Sequence, residues 1–195
     1  MNKLRAYLGG KSLYSIFLHI VVVVLAIEVV ILARQNNQLK EARSSAQQES
    51  LKVGDYFSLS GIVPLARDMR LDSTSARQVI FVFTTRCPFC KETLPFWKEI
   101  ACRAEEARDV AVIGICLDQV VPTKAYVEEE KLTFPIFIAE DKDWLVQTNK
   151  LHGVPQTIIR TTSGRVEKVW KGRLSERDFH EVVKAMSDSA TTRHL

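Results

Sequence analysis

The chain has 195 residues, and its 27 Lys and Arg against 23 Asp and Glu leave a formal net charge of only +4. So near a balance argues against a nucleic-acid protein, whose basic residues gather into a patch. Four cysteines in a chain of this length also exclude a small disulfide-stapled scaffold.

Residues 1–12 carry Lys3, Arg5 and Lys11 and read as a cytoplasmic N-terminal tail. Residues 13–33, LYSIFLHIVVVVLAIEVVILA, are about the length a helix needs to cross a bilayer core. Arg34, Lys40 and Arg43 follow, so the charge bias that orients such a helix is weak. His19 and Glu28 interrupt the run. Glu28 lies about a turn and a half from its far end, where it can approach the interface or pair with another helix. A cleaved signal peptide is the competing reading, but the stretch is long for one and Ile31-Leu32-Ala33 is a poor cleavage site. A single-pass membrane anchor is therefore expected, with the lipid bilayer as its partner and the bulk of the chain outside the cytoplasm.

Residues 34–52 (RQNNQLKEARSSAQQESLK) are polar, lack a sustained apolar stripe and read as a tether. Residues 53–187 are one domain of ordinary size, and 188–195 a flexible C-terminal tail. Within the domain, Tyr56 to Leu59 and Met69 to Leu71 suggest short leading strands. Val79 to Phe83 reads as a buried strand and Pro88 to Glu106 as a helix that Pro95 should kink. Val110 to Leu117 reads as a second buried strand, Thr123 to Lys131 as a helix, Phe134 to Ala139 as a strand and Asp141 to Leu151 as a helix. Pro155 to Thr161 and Arg165 to Trp170 form a hairpin around Thr162-Ser163-Gly164. Glu176 to Met186 closes the domain as an amphipathic helix with Ser175 as N-cap. The expectation is an α/β fold with a mixed central sheet flanked by helices, its early strands parallel because a helix crosses between them.

Cys87-Pro88-Phe89-Cys90 stands where the strand hands over to the helix. That position puts the first sulfur at a helix N-terminus, where unpaired backbone N–H groups favour an anion. A thiolate is the attacking species in disulfide exchange, and a second cysteine three residues on can reach back to resolve the mixed disulfide. Pro88 suits the first helical position.

With these pieces in place the chain resembles a thioredoxin-fold protein, and specifically the TlpA-like membrane-tethered bacterial thioredoxins, over about Val53 to Ser187. The matching features are an anchor and tether, Val53-Gly54-Asp55, the strand into Cys87-Pro88-Phe89-Cys90, and Pro95. The Val112 to Asp118 strand end, Gly153-Val154-Pro155-Gln156-Thr157 and the Gly164 to Gly172 hairpin complete the set. The resemblance implies that Cys87 is the nucleophile and Cys90 the resolving thiol. It implies that Pro155 is a cis-proline packed against the active-site disulfide, with the Val154 backbone pairing to an extended segment of substrate. It also implies clients with disulfides or cysteine pairs, as in cytochrome c maturation, and a membrane electron-donor protein. No cofactor, metal or nucleic acid enters this reading.

Three departures matter. Arg86 replaces the Trp that usually precedes the first cysteine. A cation there favours the thiolate and a more oxidising pair, unless its side chain simply points to solvent. Phe81 and Thr93 stand where thioredoxin and many relatives place a buried acid, and Glu92 is turned about 100° away on the helix. Phe89 resembles the glutaredoxin type of active site and is a candidate for the docking surface. Two further functions compete. A copper(I) carrier would use Cys87, Cys90 and His152 as ligands. A peroxidase is suggested by Thr84 three residues before Cys87, but Ile80 stands where the peroxiredoxin signature has proline. Cys102 and Cys116 read as inert thiols.

Overall fold

The computed structural model describes residues 15–35, 50–66, 75–107 and 109–187, and the chain divides into two units at Glu49/Ser50. The first unit holds α1 (Ser15–Gln35), a helix long and apolar enough to cross a membrane. Its apolar side chains are exposed, and His19 Nδ1 lies 2.6 Å from the Ser15 carbonyl oxygen one turn back.

The second unit is built on β1 (Ile62–Pro64), β2 (Arg77–Phe83), β3 (Val110–Cys116), β4 (Ile136–Ala139), β5 (Gln156–Thr161) and β6 (Val166–Lys171). Its helices are α2 (Pro88–Glu106), α3 (Val120–Glu129), α4 (Lys142–Thr148) and α5 (Glu176–Ser187). The strands form one sheet in the order β1-β4-β3-β2-β5-β6. β2 runs parallel to β3 and β3 to β4, whereas the β1–β4, β2–β5 and β5–β6 pairs are antiparallel. The mixed sheet is thus as expected, with β2, the strand that ends at the Cys-x-x-Cys, near its middle.

Alternation along β2 explains why its apolar run is unbroken. Val79, Phe81 and Phe83 face one core, shared with Leu94, Trp97 and Ile100 of α2, Tyr126 of α3, and Phe179 and Val182 of α5. Ile80 and Val82 face the other, with Ile113, Ile115, Phe137, Leu145, Leu151 and Ile158. Close packing on the first side requires Gly114: a Cβ there would sit 2.6 Å from Ile136 Cδ1 and 2.9 Å from Phe134 Cε2. α2 continues through Pro95 as one helix.

Several boundaries differ from the sequence reading. Tyr56 to Leu59 is not a strand; Tyr56 makes only an isolated bridge to Arg165. The leading strand is instead β1, three residues pairing with β4, and the expected strand at Met69 to Leu71 lies outside the described residues. α3 begins earlier than expected because Pro122 is tolerated in a first helical turn, where its missing N–H costs nothing. α4 is shorter because Asn149 is engaged elsewhere. Its fully buried side chain accepts from Ser58 N at 2.6 Å and donates to Ser58 O at 3.0 Å, pinning the Tyr56 to Leu59 segment to the domain. The expected tether ends sooner too. Ser50 and Leu51 are buried in the second unit, Leu51 completely, and Leu51 N donates to Lys150 O at 3.1 Å.

Candidate redox site

β2 delivers the chain to Thr84-Thr85-Arg86, and Asp118, just beyond β3, holds this turn. Asp118 Oδ2 accepts from both the N–H and the hydroxyl of Thr85, each at 2.7 Å. The next residues place Cys87 as the N-cap of α2 with Pro88 at the first helical positions. Cys87 Sγ is half-buried and accepts from Cys90 N at 3.3 Å, so the sulfur occupies the place a capping oxygen usually takes. It also lies 3.7 Å from the Val154 carbonyl. Cys90 is fully buried. Burial pushes its thiol far up, the hydrogen bond with Cys87 adds to the shift, and the Thr84 backbone opposes it. Both cysteines are free thiols here.

The segment facing Cys87 is Gly153-Val154-Pro155. The Val154–Pro155 peptide is cis. Gln156 Nε2 donates to Gly153 O at 2.9 Å and Gly172 N to Pro155 O at 2.8 Å, so β5 and the end of β6 hold this loop from both sides. Arg86 and Phe89 are exposed on the rim, and Val154 is half-buried. Cys87, Cys90 and Val154 are therefore brought together, with Arg86 and Phe89 at the surface beside them.

No acid occupies either position where relatives carry one. Phe81 stacks on Trp97, with ring centroids 4.9 Å apart at 15°, and meets Phe134 edge-on at 5.2 Å. Thr93 is fully buried and its hydroxyl donates to Phe89 O at 2.8 Å. Glu92 turns outward to Arg173, 2.8 Å away. Trp97 donates its buried indole N–H to Thr157 Oγ1 at 2.9 Å, joining α2 to β5 beneath the cysteines.

The remaining candidates separate from the site or stay quiet. His152 is exposed, and among the described residues no three His, Cys, Asp or Glu side chains are placed to hold a metal ion. The ligand set of a copper carrier is thus not assembled. Cys116 is buried, accepts from the Thr123 hydroxyl at 3.3 Å, and has its thiol pushed up by burial; Cys102 is exposed on α2. Sequence reasoning missed the role of Asp118, which marked only the end of a strand. The available signal was its place after β3, at the carboxyl edge of the sheet where α/β proteins gather functional groups.

No curated protein matches the chain in sequence. Among solved structures, the thioredoxin domain of a thiol-disulfide oxidoreductase from Bacteroides vulgatus is similar at TM-score 0.56 and 15% identity, covering 70% of this chain and 98% of that one. A candidate thiol:disulfide interchange protein, DsbE, from Chlorobium tepidum gives TM-score 0.58 and 14% identity, with 70% and 99% covered. A thiol-disulfide isomerase from Corynebacterium glutamicum gives 0.50 and 19%, with 70% and 93% covered. These likenesses establish the thioredoxin-like fold. The profile of the AhpC/TSA family matches residues 57–169, more than half of the chain, from just before β1 into β6 and across the whole cysteine site, and the chain belongs to that family.

Proposed function

We propose that this protein is a membrane-anchored thiol–disulfide oxidoreductase whose Cys87/Cys90 pair exchanges with client proteins, acting as a reductant. The observation that carries the reading is the sulfur of Cys87 at the N-terminus of α2, taking the Cys90 N–H at 3.3 Å with the second thiol buried directly behind it. Cys87 thiolate attacks a client disulfide; one client sulfur joins Cys87 and the other leaves as a thiolate and takes up a proton. Cys90 then loses its proton and attacks Cys87 Sγ, the bond to the client breaks, and the second client sulfur departs with the electron pair and is protonated. Two electrons have passed to the client and the protein is left as a disulfide, to be re-reduced by a membrane thiol donor. Val154 offers its main chain beside Cys87 to an extended client segment, with Pro155 completing that wall and Arg86 and Phe89 forming the exposed rim.

The long apolar α1 supports an inner-membrane anchor with the second unit in the periplasm, a setting that suits reduction of client cysteines such as those of apocytochromes c. The peroxidase reading is weaker, because a buried Ile80 stands in place of the signature proline. The deciding experiment is an equilibrium redox titration of the full-length protein in glutathione and dithiothreitol buffers. A two-electron transition lost in Cys87→Ser and Cys90→Ser, and lying well below the glutathione couple, supports the reductant. A potential near about −120 mV, the strongly oxidising end for this fold, makes it an oxidant. Absence of a reversible transition sinks the redox reading altogether.

A further inference from the structure

Among the described residues, two buried side-chain polar atoms lack a hydrogen-bond partner, and one of them is Tyr126 Oη. Buried hydroxyls are almost always paired, because an unpaired one carries its full desolvation cost. Tyr126 is only 8% exposed. It lies in the same apolar cluster as Cys90 and Cys116, with Cys87 packed against that cluster, and its ring is 5.9 Å from that of Phe83, the last residue of β2.

What surrounds it ties it further to the resolving thiol. Lys91, the residue after Cys90, is ion-paired with Glu130 at 2.9 Å, and Glu130 caps α3 with its N–H on Tyr126 O at 2.9 Å. The turn of α2 that carries Cys90 is thus linked, through Lys91, to the C-terminal end of α3, the helix that carries Tyr126. Burial first, then the charge of Glu130, then the cysteine sulfurs hold the phenol well above its ordinary value, so it stays an O–H donor throughout the working pH range. The Thr84 backbone already favours a Cys90 thiolate against the burial of that sulfur. Resolution needs a thiolate at fully buried Cys90, yet Phe81 and Thr93 fill the positions where an acid would assist.

We propose that the Tyr126 hydroxyl donates a hydrogen bond to Cys90 Sγ as that sulfur gives up its proton to attack the mixed disulfide, with the Lys91–Glu130 pair holding α3 in place for it. This rests on the redox reading above. The proton leaves for solvent and the departing client thiolate takes one up, so the hydroxyl is regenerated unchanged.

The test is a single-turnover reaction of the reduced full-length protein with oxidised glutathione, quenched with acid and read by mass spectrometry. Tyr126→Phe keeps the ring and removes only the oxygen. The glutathione adduct on Cys87 should persist about tenfold longer than in the wild type, with the pH midpoint of resolution moved upward. The rate of adduct formation, compared in the Cys90→Ser background with and without Tyr126→Phe, should stay unchanged. Wild-type resolution rate and pH profile in Tyr126→Phe would overturn this proposal alone. A wild type that forms no adduct and no disulfide would overturn the redox reading, and this proposal with it.

Discussion

Thr157 shows how a single side chain can support a site it does not enter. Its Oγ1 takes the buried indole N–H of Trp97 at 2.9 Å, and Trp97 in turn stacks on Phe81 under the cysteine loop. Thr157→Val keeps the shape and removes the acceptor, so the indole N–H is left buried and unpaired. Denaturant unfolding should show a loss of about 1–3 kcal/mol, with the Cys87 reaction itself little changed. At this scale the two cysteines were legible in the sequence because strand, spacing and helix lie within one short stretch. Asp118 and Tyr126 were not. Asp118 reaches the site through the tertiary pairing of β2 with β3, and Tyr126 enters the core that holds Cys90 through tertiary packing, which no local pattern reports.

Among the elements, α5 is the one whose start was written most openly. Ser175 and Asp178 cap it reciprocally: Asp178 N donates to Ser175 Oγ at 3.2 Å, and Asp178 Oδ2 accepts from Ser175 N at 3.0 Å and from its hydroxyl at 2.7 Å. The Ser175 backbone and then its hydroxyl hold the Asp178 carboxyl below its ordinary value. A carboxyl depressed in the folded state contributes stability above its unfolded value and loses it as pH falls through the folded one. Ser175→Ala should therefore cost about 1 kcal/mol near neutral pH, and less under acid conditions where Asp178 is protonated, as thermal melts across that range would show. β1 was illegible by contrast. Three residues ending in proline carry no measurable alternation, and only the pairing of Ile62 with Ala139 and Val63 with Ile138 makes them a strand.

For the molecule as a whole, the sequence conveyed the mixed sheet, the order of strands and helices after residue 77, and the separate apolar helix. It missed where the domain begins. Leu51 ends a polar run and stands alone, so its periodicity says nothing, yet it is wholly buried among Phe57, Ile80, Leu151 and Val166. Leu51→Ala should lower unfolding stability by about 2–5 kcal/mol, the range for emptying such a position, and a calorimetric melt would register it. The same residue fixes where force enters the domain. Leu51 hangs on the Lys150 carbonyl, while Lys171 Nζ reaches the Ser50 hydroxyl at 2.8 Å. Lys150 leads into Gly153-Val154-Pro155 and Lys171 precedes the glycine that holds Pro155. A pull on the backbone at Ser50 is thus received first by the two segments that lead into and hold the Gly153-Val154-Pro155 loop facing Cys87, so Ser50, Leu51 and the mouth of the cysteine site share one set of fastenings.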